Sequence, residues 1–137
     1  MVEGVILQVE DDEASYFVFR ELFKEICPDI RLERAQDGEQ ALTRIRDLVA
    51  DPTVRLTLVL MDVFLPLLGG WEVLDSIRAD ESLRQVPVVM LTGQILERDR
   101  LRCAALHVEY IEKPSDLQGL VSLVEKICAR VESLPVS

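Results

Sequence analysis

Short apolar runs bounded by turn residues alternate along the chain with segments whose apolar positions recur every three or four residues. That alternation is expected of a parallel sheet covered by helices on both faces. The runs at residues 5–9, 30–35, 56–61, 86–91 and 108–111 read as strands. The run at 56–61 is almost unbroken apolar sequence, too short for a helix and suited to a central strand, and it stops at Asp62. The last helical stretch is the most regular, with Leu117, Leu120, Val121, Val124, Ile127, Cys128 and Val131 on one stripe. Ser115 and Gln118 stand at its entrance with the spacing of a capping box. Ala41, Leu42, Ile45, Leu48 and Val49 repeat the stripe in the second helix, whereas Phe17, Val18, Leu22, Phe23 and Ile26 make a less regular first one.

Five strand and helix pairs predict a three-layer α/β fold, a flavodoxin-like (βα)5 arrangement whose five-stranded parallel sheet has the order 2-1-3-4-5. The 137 residues, 49% of them hydrophobic, are enough for one core and read as a single domain over 1–137. That core runs from about residue 4 to 131, and a short tail follows from Glu132. No repeat or Pro/Gly-rich linker divides the chain. Fifteen Lys and Arg against 25 Asp and Glu give a net charge of −10, which repels phosphate backbones and argues against direct nucleic-acid binding. Cys27, Cys103 and Cys128 are odd in number, far apart and set in apolar segments, so they read as reduced packing residues. The start lacks the basic and apolar regions of a secretion signal, and no stretch approaches 18 apolar residues without charge. A soluble, cytoplasmic protein with no membrane partner is expected.

In open parallel sheets, ligands bind beyond the carboxyl ends of the strands, where the strand order reverses. The first strand ends in Glu10, Asp11, Asp12 and Glu13, the third in Asp62, the fourth in Thr92 and Gly93, and Lys113 and Pro114 follow the fifth. Taken singly, each has an ordinary explanation: a solvated turn with a helix cap, a strand threonine, a surface lysine. Taken together they converge, because the expected order makes the first and third strands neighbours. Two carboxylates about 4 Å apart repel by roughly 4 kcal/mol at an effective dielectric near 20, so such a cluster must protonate or recruit cations. A hard divalent ion, Mg²⁺ above all, suits a few carboxylates and leaves positions open for a phosphoryl oxygen. Lys113 adds a compact positive charge and Thr92 a hydroxyl donor, which together describe a phosphoryl-transfer site.

In order, the motifs VILQVEDDE, LVLMDVFLP, VVMLTG and YIEKP resemble the receiver domains of two-component response regulators over nearly the whole chain. The resemblance implies that Asp62 accepts a phosphoryl group from a phosphohistidine of a sensor histidine kinase. It implies a Mg²⁺ (or Mn²⁺) site made by Glu10, Asp11, Asp62 and the backbone carbonyl of Phe64. Thr92 and Lys113 match the switch hydroxyl and the phosphate-pairing lysine, and Tyr110 matches the switch aromatic. The family likeness also implies a cis Lys113–Pro114 peptide. It further implies an output surface on the fourth helix, fifth strand and fifth helix (α4-β5-α5), used to engage a downstream protein target and to form a homodimer. Such a protein is no enzyme beyond self-catalysed transfer onto Asp62 and slow autodephosphorylation. His107, the sole histidine, precedes the fifth strand and reads as a surface or packing residue.

Several positions depart from the family pattern. Phe64 and Gln94 occupy places that tune how water reaches the acyl phosphate, so the lifetime of the phosphorylated form should depend on them. Gly69 stands where aspartate is common, and with Phe64, Leu65, Leu67 and Leu68 it makes an unusually apolar loop, fit for packing or docking. The stretch 47–55 is longer than in minimal receivers and resembles small regulators paired with phytochrome-like sensor kinases. A Mg²⁺-dependent phosphohydrolase would place a second carboxylate where Phe64 stands. A flavodoxin would carry a phosphate-cradling loop in place of four acids. A degenerate receiver serving as a constitutive protein-binding adaptor is the remaining alternative, opposed by the intact set of Asp11, Asp62, Thr92 and Lys113.

Overall fold

Each apolar run becomes a strand in the computed structural model, which describes residues 2–132. The strands are β1 (Glu3–Val9), β2 (Arg31–Ala35), β3 (Val54–Asp62), β4 (Val88–Thr92) and β5 (Glu109–Glu112). They alternate with α1 (Glu13–Ile26), α2 (Gly38–Ala50), α3 (Gly70–Ala79), α4 (Glu97–Ala105) and α5 (Leu117–Glu132). All strand pairs are parallel, in the order β2-β1-β3-β4-β5, as the sequence pattern predicts.

Successive side chains of a strand point to opposite faces, and the two cores follow that period. Val5, Leu7 and Val9 pack with Ile45, Leu48 and Leu74 on one face. Ile6, Leu58 and Leu60 pack with Phe19, Phe23 and Val124 on the other. Burying a side chain of this size contributes roughly 1.5–3 kcal/mol. The β1–β3 register shifts between Val5 and Ile6, and the extra residue, Thr57, is buried with its hydroxyl donating to the Val5 carbonyl at 2.9 Å. No helix among the described residues is long and apolar enough to cross a membrane.

Several expectations are corrected. The first helix buries Phe19 and Phe23, while Phe17 is 52% exposed with the Arg20 guanidinium over its ring. Val49 and Leu117 also leave their stripes for solvent, one near the end of α2 and the other at the start of α5. The α5 entrance is capped one residue later than expected: the Asp116 carboxylate accepts from the Gly119 amide at 2.9 Å, so Ser115 and Gln118 form no capping box. Strand β4 starts at Val88, two residues later than expected, because Pro87 offers no amide for the ladder. No peptide bond among the described residues is cis, so Lys113–Pro114 is trans. Cys27, at the C-cap of α1, and Cys128 in α5 face each other where these helices pack and form a disulfide across 101 residues. Only Cys103 among the cysteines is free, and it is buried. Glu132 closes α5, and the rest of the expected tail, 133–137, lies outside the described residues.

Candidate functional site

Strands β1 and β3 are hydrogen-bonded neighbours with Val9 opposite Met61, so the next residues after both emerge side by side. Ligand oxygens of Glu10, Asp11 and Asp62 lie within 4.8 Å of one another. Glu10 is buried, Asp62 half-buried and Asp11 exposed, so the cluster opens to solvent on one side. Asp12 stands apart as the cap of α1, accepting from the Ser15 amide at 3.3 Å and its hydroxyl at 2.8 Å. The Asp62 backbone is fixed from below by Gly70, where a Cβ would stand 2.3 Å from the Asp62 carbonyl oxygen; only glycine permits that approach.

Strand β5 aims Lys113 into the cluster, its amide donating to the Thr92 carbonyl at 2.7 Å. The Lys113 Nζ donates to Glu10 Oε1 and lies 3.9 Å from Asp62 Oδ2. The carboxylates and the amine inferred from three distant motifs therefore meet in one place.

The electrostatics divide the two inner carboxyls. Burial, then the hydrogen bond and negative charge of Glu10, push Asp62 up to about 8. Burial also pulls Glu10 upward, but hydrogen bonds from Asp62 and Lys113 outweigh it and leave Glu10 below the usual carboxylate range. Without a cation, the pair retains a proton on the Asp62 side. The donor set is all oxygen, which fits a hard divalent ion and not zinc or a soft metal.

Thr92 ends β4 beside this cluster and is buried, yet its hydroxyl donates to the Gln94 carbonyl at 2.9 Å and so serves its own loop. The same carbonyl accepts from the Tyr110 hydroxyl at 3.4 Å, and the Leu96 amide donates to the Tyr110 oxygen at 3.4 Å. Tyr110 is half-buried, its ring nearly perpendicular to that of Trp71 with centroids 6.4 Å apart, and Arg102 stacks on Trp71 at 4.5 Å while pairing with Asp75 at 2.8 Å. The Gln94 side chain is exposed.

Phe64 is 75% exposed and lines a groove with Trp71, Leu96 and Arg102. Leu67, two residues before Gly69, is 78% exposed and has a left-handed backbone (φ 64°), which costs a branched side chain energy. His107 is exposed in the α4–β5 connection, at the sheet edge opposite the site, with φ 56°.

One residue near the cluster escapes the sequence reading. Arg34, at the end of β2, donates from Nε to the Glu10 carbonyl at 2.9 Å and from Nη2 to the Asp11 carbonyl at 3.0 Å. Its only trace in the sequence is an arginine inside a supposed apolar run.

The family model described as response regulator receiver domain matches residues 6–125. Rcp1, a response regulator of Synechocystis, is 34% identical over 125 residues, covering 90% of this chain and 85% of its own. FilR2, a probable methanogenesis regulatory protein of Methanothrix harundinacea, is 35% identical over 124 residues, covering 90% of this chain and 80% of its own. The phosphorylated cyanobacterial phytochrome response regulator RcpA superposes with a TM-score of 0.83 at 30% identity, over 99% of this chain and 98% of its own. The Mn²⁺-bound form of Rcp1 gives the same TM-score at 32% identity, over 97% and 98%.

Proposed function

Because the chain belongs to the response regulator receiver domain family, we propose that Asp62 is its phosphoacceptor and that a sensor histidine kinase is its phosphoryl donor. The observation that carries this reading is the meeting of Asp62 with Glu10, Asp11 and Lys113 at one strand-end pocket. An Asp62 oxygen attacks the phosphorus of a phosphohistidine. An O–P bond forms as the N–P bond breaks, and its electron pair returns to the imidazole nitrogen, which takes up a proton. A carboxyl that holds its own proton is a poor nucleophile; the charge of Lys113 works against the burial and the Glu10 contact that raise Asp62, and a bound cation would act in the same direction to free the acceptor. Phosphoryl transfer needs alignment and charge neutralisation more than covalent help from the protein.

Glu10, Asp11, Asp62 and the Phe64 carbonyl are the proposed holders of Mg²⁺, with Mn²⁺ as the substitute ion that the relative Rcp1 carries. When bound, the cation neutralises charge on the phosphoryl oxygens. Thr92 turns its hydroxyl from the Gln94 carbonyl toward the new phosphoryl group, and Tyr110 then leaves its contacts with Gln94 and Leu96. The proposed output is a changed α4-β5-α5 surface, where Leu101 is 62% exposed, read by a downstream protein or by a second copy of the chain. Similarity to RcpA and Rcp1 favours a phytochrome-like kinase as partner. Phe64 and Gln94 set the phosphoryl lifetime, and Phe64→Asn is expected to hasten loss of the phosphoryl group as followed by mass.

Intact-mass analysis after acetyl phosphate and Mg²⁺ tests the core of this reading. The wild type should gain one phosphoryl group and Asp62→Asn none. No gain in the wild type, or an equal gain in both, overturns it.

A further inference from the structure

We infer that Arg34 is a positioning residue for the divalent-cation site: its guanidinium holds the backbone of Glu10 and Asp11 so that their carboxylates face Asp62. This rests on the cation site proposed above. Arg34 reaches across from β2, and its two donors engage consecutive carbonyls, Glu10 at 2.9 Å and Asp11 at 3.0 Å. Two parallel donors from one rigid plane fix both the place and the tilt of a backbone segment, which a single-point ammonium cannot do. The guanidinium is itself held, 5.4 Å over the Tyr16 ring, and the Tyr16 hydroxyl is anchored at the Leu32 carbonyl, 3.5 Å away. Gln8, the residue paired with Arg34 in the sheet, lies two positions before Glu10 in β1, so Arg34 reaches past the last ladder pair, Val9 and Ala35, to hold the segment beyond it.

The need for such a clamp follows from where Asp11 stands. It is exposed, it belongs to neither β1 nor α1, and among the described contacts its side chain has no hydrogen-bond partner. Three acidic groups with ligand oxygens held within 4.8 Å crowd like charge even with Asp62 protonated, and a free segment would relax by swinging the exposed member outward. Groups that orient a ligand without touching the metal typically change metal affinity by 10–100-fold.

The sign of the effect separates positioning from charge. Arg34 is a cation beside a cation site, so electrostatics alone predicts that removing it tightens divalent binding. Positioning predicts the reverse.

Mn²⁺ titration followed by electron paramagnetic resonance of the free ion, on the full chain at fixed ionic strength, decides between them. Wild type should bind Mn²⁺, and Arg34→Ala should bind it about tenfold more weakly. Arg34→Lys, which keeps the charge and loses the fork, should also be weakened. It isolates geometry and serves alone if the alanine variant does not fold. Arg44→Ala removes an equal charge that pairs with Glu33, and should leave affinity unchanged. Hydrogen exchange in chelator should show faster amides over residues 11–13 in both Arg34 variants, with the α2 amides unchanged. Binding by either Arg34 variant that equals or exceeds wild type overturns the inference while leaving the cation site standing. A wild type that binds no Mn²⁺ removes the cation site, and the inference with it.

Discussion

The carboxyl edge of the sheet has two unlike halves. Around β1 and β3 most polar groups are tied down: Glu10 is 3% exposed and bonded to Lys113, Asp12 caps α1, Arg34 holds the loop carbonyls, and Gly70 presses against Asp62, with the exposed Asp11 side chain the exception. Around β4 and β5 the ties are slack. Helix α4 starts after Leu96 with no side-chain cap, and Tyr110 is held by two hydrogen bonds of 3.4 Å, beyond the usual range for strong ones. Charge and geometry fix the first half, which suits the phosphoryl acceptance proposed at Asp62. The second is more loosely held, which suits the proposed switch.

The largest expected effect falls on neither half and calibrates the others. Breaking the Cys27–Cys128 bond, by Cys27→Ser or by a dithiol, should lower unfolding free energy in urea by about 2–4 kcal/mol, since the bridge closes a loop of 101 residues. Both halves should lose stability alike. Next comes the tied half: Lys113→Met strips the amine from a buried glutamate and should cost about 2–3 kcal/mol, less than a fully buried pair because Glu10 and Asp62 can share a proton. Urea unfolding in chelator measures it. A loss near zero would mean that the amine does not hold the cluster together.

Asp62→Asn should act in the opposite direction. Asp62 holds its proton up to about 8 in the fold, against 3.8 for an ordinary aspartate. Between those limits the folded chain binds a proton that the unfolded chain has lost, so stability falls as pH rises. This contribution is present in full below 3.8 and is gone once pH passes about 8. Asparagine does not titrate and can still donate to Glu10. In chelator the variant should therefore match wild type near pH 4 and gain on it toward pH 8. A gain of about 1 kcal/mol would raise the melting temperature by roughly 3–5 °C. A melting temperature that is unchanged or lowered at pH 8 would contradict a crowded carboxylate pocket.

What was legible in the sequence shares one property: it lies where a periodic segment stops. Asp62 ends an apolar run, Glu10 and Asp11 end another, and Lys113 follows a third, so the strand order alone brought them together. What was not legible depends on distances that no local period encodes. Cys27 and Cys128 are 101 residues apart and meet only because α1 and α5 share a face. Arg34 looked like an interruption in a strand, because its partners are backbone carbonyls, which carry no residue type to recognise. Phe17 and Phe19 are two residues apart on α1, about 200° around the axis, so composition could not say which faced the core. Thr92 was placed correctly in the chain, but the direction of its hydroxyl belongs to the loop beyond it.

The smallest effect probes the slack half. Tyr110→Phe removes the two 3.4 Å bonds to Gln94 and Leu96 and leaves the ring against Trp71. Each bond is long and partly solvated, so the loss should be no more than about 0.5–1 kcal/mol in total. The melting temperature should then move by only roughly 2–4 °C. Thr92 keeps its own 2.9 Å bond to the Gln94 carbonyl, so β4 should be undisturbed. The loop from Gln94 to Leu96, freed from the tyrosine oxygen, should open over Trp71, the sole tryptophan, and quenching of its fluorescence by acrylamide should increase. A variant that unfolds as readily as Lys113→Met would erase the contrast between the halves, because Tyr110 would then be a fixed strut and not a movable contact.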